Sequence, residues 1–270
     1  MKNYNVRNRR VLITGASSGI GRELSACFAA EGCELFLGAH PSERERLSEW
    51  AVSLCDKYRI TVHELAVDLA DGGGPEAVYD AVAREGGIDV LVNNAGCIAY
   101  GPFHELPLER QKNIIRVNVM AYFTLMRLCI PGMIARGGGR VLNISSVSAF
   151  QPTARHAVYG ATKAFVQSLS ESAARELRGT GVSVMTANPS YTDTPLLCSE
   201  GFPEKLRWYA IGGLGDPAVI AKKIFRAFLR GKPVYIPGFL NWCVHSLLVR
   251  LLPRSLICGI SYIALGKREV

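Results

Sequence analysis

Val11-Leu12-Ile13-Thr14-Gly15-Ala16-Ser17-Ser18-Gly19-Ile20-Gly21-Arg22-Glu23-Leu24 passes from a short apolar run through a glycine-rich turn into a helical pattern, and its reading decides the fold. Consecutive apolar residues such as Val11-Leu12-Ile13 suit a strand covered on both faces. The glycines allow left-handed backbone and close approach of a ligand, while free N–H groups at the start of the next helix face negative charge. Outward from this stretch the alternation repeats. Strands are predicted at Glu34–Leu37, Thr61–Val67, Val90–Val92, Arg140–Ile144, Ser183–Ala187 and Val234–Ile236, with helices near Arg22–Glu31, Glu43–Tyr58, Pro75–Arg84, Leu108–Ala135, Tyr159–Arg178 and Ala218–Arg230. Apolar strands separated by helices predict an α/β fold with a doubly wound parallel sheet, whose ligands bind beyond the carboxyl ends of the strands.

The 270 residues are 49% hydrophobic and 20% charged, which supplies one large core and excludes general disorder. Lys and Arg number 31 against 23 Asp and Glu, but residues 201–270 hold 11 basic and 3 acidic side chains, so the excess is local. A uniformly basic nucleic-acid binder is disfavoured. Cysteines at 27, 33, 55, 97, 129, 198, 243 and 258 form no CxxC pair, and His63, His104, His156 and His245 are scattered, so reduced thiols and no metal site are expected. Met1–Arg10 is polar and basic without an apolar signal core, and a cytoplasmic location is the expectation. No uncharged apolar stretch reaches membrane-spanning length, because His245, Arg250, Pro253 and Arg254 interrupt the best candidate.

The spacing Thr-Gly-x-x-x-Gly-x-Gly at Thr14–Gly21 differs from the ordinary Gly-x-Gly-x-x-Gly, and with Asn93-Asn94-Ala95-Gly96 and the residues below it resembles the short-chain dehydrogenase/reductase family in its short single-domain form. The resemblance covers roughly residues 9–237. It implies a single-domain Rossmann fold over residues 1–237 followed by a helical extension, 238–270, packed on the same domain. It also implies an oxidoreductase that moves a hydride between a nicotinamide cofactor and a carbonyl or secondary alcohol. Carried over by position, Gly15, Ser17, Ser18, Gly19, Ile20 and Gly21 hold the pyrophosphate. Asp68 and Leu69 meet adenine, and Asn94, Ala95 and Gly96 pass alongside the cofactor. On its own each of these stretches reads equally as a turn or cap. Ala39 stands where an acid would accept hydrogen bonds from both ribose hydroxyls of NAD. An acid there would repel a 2′-phosphate, and its absence permits NADP. His40 occupies the place where many NADP-using relatives carry Arg, with Arg44 or Ser17 to assist, so NADP is expected ahead of NAD.

Tyr159 and Lys163 are four apart at the start of a predicted helix and project from one face with about 40° of offset. Ser146 lies 13 residues before the tyrosine, directly after a predicted strand, which is the family's spacing. Asn118 matches the family's fourth catalytic residue. A free tyrosine has a pKa of about 10. The Lys163 ammonium and an oxidised nicotinamide are expected to lower it, so that Tyr159 transfers its proton to the carbonyl oxygen while Ser146 hydrogen-bonds that oxygen. The resemblance further implies that Lys163 binds the nicotinamide ribose and that Asn118 holds a water linking Lys163 to solvent. After the strand Ser183–Ala187 come Pro189, Thr192 and Thr194, which meet the nicotinamide end. Ser190 replaces the family's usual glycine, and Leu196–Ile211 is expected to be a mobile substrate lid.

Phe239–Leu265 holds no acidic residue, two arginines and the apolar runs Leu247-Leu248-Val249 and Leu256-Ile257-Cys258. Read as helices around Pro253, residues 239–265 cover the core or a subunit interface, wall a long apolar substrate, or make a peripheral membrane contact. The family resemblance implies a homodimer or homotetramer through Leu108–Ala135 and Tyr159–Arg178. Two rivals stand beside the enzyme reading. One is a catalytically silent cofactor-binding regulatory or scaffold protein. The other is an extended relative acting on nucleotide sugars, against which the glycine spacing counts.

Overall fold

The computed structural model describes residues 4–199, 201–203, 206–209 and 213–266. Seven strands, β1 (Arg10–Thr14), β2 (Glu34–Ala39), β3 (Val62–Ala66), β4 (Val90–Asn93), β5 (Gly139–Ile144), β6 (Val182–Ala187) and β7 (Val234–Tyr235), form one sheet. Its order is β3-β2-β1-β4-β5-β6-β7, and every neighbouring pair is parallel. The chain winds one way from β1 to β3 and the other way from β4 onward. The reversal between β1 and β4 opens a crevice at their carboxyl ends.

Helices α1 (Gly19–Ala29), α2 (Arg44–Tyr58), α3 (Gly74–Arg84), α4 (Leu108–Ala135), α5 (Ala157–Glu176) and α6 (Pro217–Leu229) lie between the strands. Alternate strand residues serve opposite faces, as the two-residue period requires. Val11, Ile13, Leu35 and Leu37 pack with Leu24, Phe28, Phe225 and Phe228 of α1 and α6. Leu12, Phe36 and Leu91 pack with Val78, Leu125 and Met133 of α3 and α4. This is the doubly wound Rossmann-like sheet the sequence predicts, with element ends shifted by a few residues: β2 runs on to Ala39, and α1 begins at Gly19.

By length and composition α4 could cross a membrane. Tyr122, Leu125, Met126, Cys129 and Met133 are nevertheless buried, which makes it a core helix. Its turn Arg116–Met120 has π spacing. Past β7, α7 (Phe239–Leu251) and α8 (Arg254–Ala264) flank Pro253. They are tied to the body of the fold by the Trp208 N–H donating to the Ala264 carbonyl (3.0 Å) and by the Tyr100 hydroxyl donating to the Leu265 carbonyl. The Arg155 guanidinium also lies 4.6 Å over the Tyr262 ring.

Candidate active site

The glycine-rich turn lies in a cleft of about 490 Å³ at the crevice between β1 and β4. Thr14 joins the two sides. Buried at the end of β1, its hydroxyl accepts from the N–H groups of Asn94 (3.0 Å) and Ala95 (3.1 Å), while the Asn94 amide donates to the carbonyls of Thr14 and Gly15, both at 3.0 Å. Gly15 and Gly19 sit at φ +65° and +54°. A Cβ on Gly21 would stand 2.2 Å from the Gly15 carbonyl oxygen and 2.3 Å from Asn94 Nδ2, so only glycine lets α1 approach this closely. Ser18 begins α1 without a side-chain cap bond, and no acid lies in the first turn. The helix start therefore keeps its positive end for an anion. These residues fit a dinucleotide pyrophosphate.

At the far end of the cleft His40 and Asp68 face each other, His40 Nε2 lying 3.6 Å from Asp68 Oδ2. His40 Nδ1 accepts from the Ser42 N–H, and Asp68 Oδ1 accepts from the Ala70 N–H. Asp68 thus closes a turn and also lines the cleft. A third group here was not foreseen: Glu43 lines the cleft, accepts a 2.6 Å hydrogen bond from the Ser17 hydroxyl and pairs with Arg46 at 3.1 Å. Arg44, expected to assist a 2′-phosphate, begins α2 and does not line the cleft.

At the other end Ser146, Tyr159 and Lys163 share one wall. Ser146 follows β5, and its hydroxyl accepts from the Ser148 N–H (3.1 Å) and favours ionisation of the Tyr159 phenol. Lys163, one turn along α5, is 3% exposed; its Nζ donates to the Ile144 carbonyl at 2.8 Å and lies 5.7 Å from the Tyr159 ring centre. The expectation of an acidified phenol is corrected here for the chain alone. Burial pushes Tyr159 up to about 12, and the Ser146 hydroxyl only partly opposes it. Burial also pulls Lys163 down to about 8. The ammonium is turned to a carbonyl rather than to the phenol, so desolvation wins over charge at both groups.

Asn118 sits on the π turn of α4 with its side chain fully engaged. Its Oδ1 accepts from the Cys97 N–H (3.0 Å), and its Nδ2 donates to the Cys97 carbonyl (3.0 Å) and Thr162 Oγ1 (3.1 Å). It holds the chain after β4 against α5, beside Lys163. Thr194 lies against Gly19, whose added Cβ would come within 2.8 Å of Thr194 Cγ2. Ser190 needs no left-handed backbone: among the described residues only Asn8, Arg59 and Arg155 have positive φ without being glycine. Of the expected lid, Leu196, Leu197 and Ser199 line the cleft, and residues 200, 204, 205, 210 and 211 lie outside the described residues.

Every catalytic or cofactor residue expected from the sequence lines this cleft except Arg44 and except Gly21 and Asn118, which stand directly behind it. The structure adds Glu43, Cys97, Ile98, His156 and Tyr191. His156 precedes α5 and sets its ring 5.9 Å from Tyr159, edge to face; burial pushes its imidazole down to about 4, which keeps it neutral. Only His156 carried a sequence signal, its place three residues before the tyrosine.

A glycine cradle at the sheet's switch point, with serine, tyrosine and lysine at one end, defines a dinucleotide-dependent oxidoreductase. The family model for short chain dehydrogenase matches residues 9–201, and the chain belongs to that family. It is 32% identical over 239 residues to the 3-oxoacyl-[acyl-carrier-protein] reductase of Vibrio cholerae, covering 87% of this chain and 95% of that protein. A short-chain dehydrogenase from Sphingobium yanoikuyae, solved with NADPH, is similar at 30% identity and TM-score 0.81, covering 90% of this chain and 93% of that one. L-sorbose reductase from Gluconobacter frateurii, solved with NADPH and L-sorbose, is similar at 32% identity and TM-score 0.75, covering 87% and 96%.

Proposed function

We propose that this protein interconverts a bulky apolar ketone and its secondary alcohol with NADP as preferred cofactor. The observation that carries the reading is the convergence of Ser146, Tyr159 and Lys163 on one wall of the cleft that holds the glycine cradle. When bound, the nicotinamide supplies or accepts the hydride and, when oxidised, brings a positive charge. Tyr159 gives its phenolic proton to the substrate oxygen, and Ser146 donates a hydrogen bond to that oxygen as its charge develops. Lys163 holds the nicotinamide ribose and provides cationic charge beneath the phenol. Asn118 positions the wall on which Lys163 acts. Pro189, Thr192 and Thr194, which line the cleft, would border the nicotinamide end.

NADP is favoured by the missing acid at Ala39 and by the His40 imidazole. Glu43 opposes a 2′-phosphate, and Arg46 offsets part of that charge. An apolar substrate is supported by Ile98, Val147, Tyr191, Leu196 and Leu197, which line the cleft around the reacting groups. The test is a panel of carbonyl compounds followed by NADPH and NADH absorbance. Tyr159→Phe is expected to lower kcat by about 10²–10⁴ while NADPH still binds. Unchanged function in that variant would favour the silent regulatory reading.

The outer face of the α7–α8 hairpin is proposed as a peripheral contact with anionic lipid on the cytoplasmic side. Phe239 and Leu251 are about four-fifths exposed, at 81% and 80%, Trp242 and Tyr262 stand at the surface, and Arg250 and Arg254 are exposed with no acid between residues 239 and 266. Met120, Phe123 and Ile134 of α4 and Phe165 of α5 are exposed apolar side chains, and the helices that carry them are proposed to meet a second copy in a dimer or tetramer.

A further inference from the structure

Beside the cleft, between the α7–α8 hairpin and the segment that follows Ser146, lies a second cavity of about 90 Å³. Val147, Ser148 and Tyr191 line both spaces, so the cavity begins at the wall that carries the reacting groups. Its remaining lining is largely apolar, with Trp208, Val244, Leu248 and Ile257 prominent. Polar side chains interrupt it at Ser148, Gln151 and Thr153 and, on the hairpin, at His245 and Ser261. His245 comes from α7 and Ser261 from α8, and they are 3% and 4% exposed. Neither ring nitrogen of His245 nor the Ser261 hydroxyl has a hydrogen-bond partner among the described residues. Buried polar groups are ordinarily paired, and one left open costs the fold its desolvation. Two such groups on adjacent helices, lining one cavity next to a catalytic wall, point to a polar partner inside the cavity.

The chemistry of the missing partner follows from the lining. Burial pushes the His245 imidazole down to about 4, so at neutral pH it offers one N–H donor and one acceptor nitrogen. Ser261 offers a hydroxyl that can do either. An ionised group would enter this apolar surround without a counter-charge, which is strongly unfavourable. A neutral hydroxyl or carbonyl suits both residues. At about 30 Å³ per water, the cavity takes about three waters or a ligand end of that bulk.

We propose that this cavity is a distal substrate subsite, which receives the far end of an elongated apolar ketone or alcohol bearing a neutral hydroxyl or second carbonyl there, hydrogen-bonded by His245 and Ser261. It rests on the carbonyl–alcohol reading above and narrows its substrate class to compounds with two separated oxygens on an apolar frame. The hairpin is then part of the active site rather than an appendage.

The test uses the full chain and matched pairs of bulky ketones that differ only by a hydroxyl at the end remote from the reacting carbonyl. The wild type is expected to favour the hydroxylated member by about tenfold or more in kcat/KM, because the plain analogue leaves His245 and Ser261 unpaired. His245→Phe combined with Ser261→Ala is expected to remove that preference while turnover of the plain ketone stays within about threefold. Should the double variant fold poorly, Ser261→Ala alone should reduce the preference by about threefold with unchanged thermal stability. Calorimetric titration of the same pairs reads the preference without turnover. Binding preference without turnover supports the subsite and overturns the proposed reaction. Equal treatment of the pairs by the wild type, or a preference that persists in the double variant, overturns the subsite and leaves the cavity to solvent.

Discussion

Replacing Lys163 by methionine is expected to stabilise the cofactor-free protein at pH 7 while abolishing turnover. The ammonium is 3% exposed, with one hydrogen bond at 2.8 Å to the Ile144 carbonyl and the Tyr122 ring centre 5.2 Å away. Burial lowers its pKa from 10.5 to about 8. That depression corresponds to about 3 kcal/mol against the protonated form in the folded state. Below pH 8 the penalty is fully present; between pH 8 and 10.5 the unfolded chain holds the extra proton, so stability rises with pH. Methionine carries no charge, but it leaves the Ile144 carbonyl unpaired at about 1–2 kcal/mol. The net gain at pH 7 is then about 1–2 kcal/mol, or about 2–4 °C in Tm for a chain of this length. At pH 10 most of the wild-type penalty has gone, and the order of stabilities should reverse. Thermal melts of both proteins from pH 7 to 10, read as a difference, cancel the Tyr159 and cysteine titrations they share. A difference that does not change with pH would refute the assignment of a desolvated ammonium.

Gly21→Ala should abolish NADPH binding in a fluorescence titration and lower Tm by several degrees, whereas Gly73→Ala, whose Cβ meets nothing within 4 Å, should leave binding unchanged. Glu43→Gln removes a charge of the same sign as a 2′-phosphate; against a phosphate dianion about 8 Å away in a solvent-like medium this is worth about 1 kcal/mol, so the kcat/KM ratio of NADPH to NADH should rise about fivefold and the gain should shrink in high salt. The protein should sediment with vesicles containing phosphatidylglycerol and less so with neutral ones, and Phe239→Glu with Leu251→Glu should reduce this without changing Tm; equal sedimentation of that variant would count against the lipid contact.

What was legible in the sequence is what repeats or is fixed by short spacing. The two-residue and helical periods marked the sheet and its covering helices because each strand is buried on both faces. The cradle was legible because a Cβ on Gly21 has nowhere to go, and the catalytic wall because Tyr159 and Lys163 lie one turn apart on α5. Contacts made across the fold were not legible. Glu43 reaches back to Ser17 from a turn 26 residues later, and His245 and Ser261 meet a cavity far from them in sequence. The acidity expected of Tyr159 beside Lys163 and an oxidised nicotinamide is absent from the chain alone for a related reason: spacing shows that a cation is near, but not that both groups are out of water. In the chain alone that dehydration raises the phenol and lowers the amine. At neutral pH the fold therefore keeps the phenol neutral, as burial favours, and the amine protonated against burial, at a cost offset by the core on both sides of the sheet. The acidity needed for turnover belongs to the loaded cleft, and the pH dependence of binding is where it should be sought first.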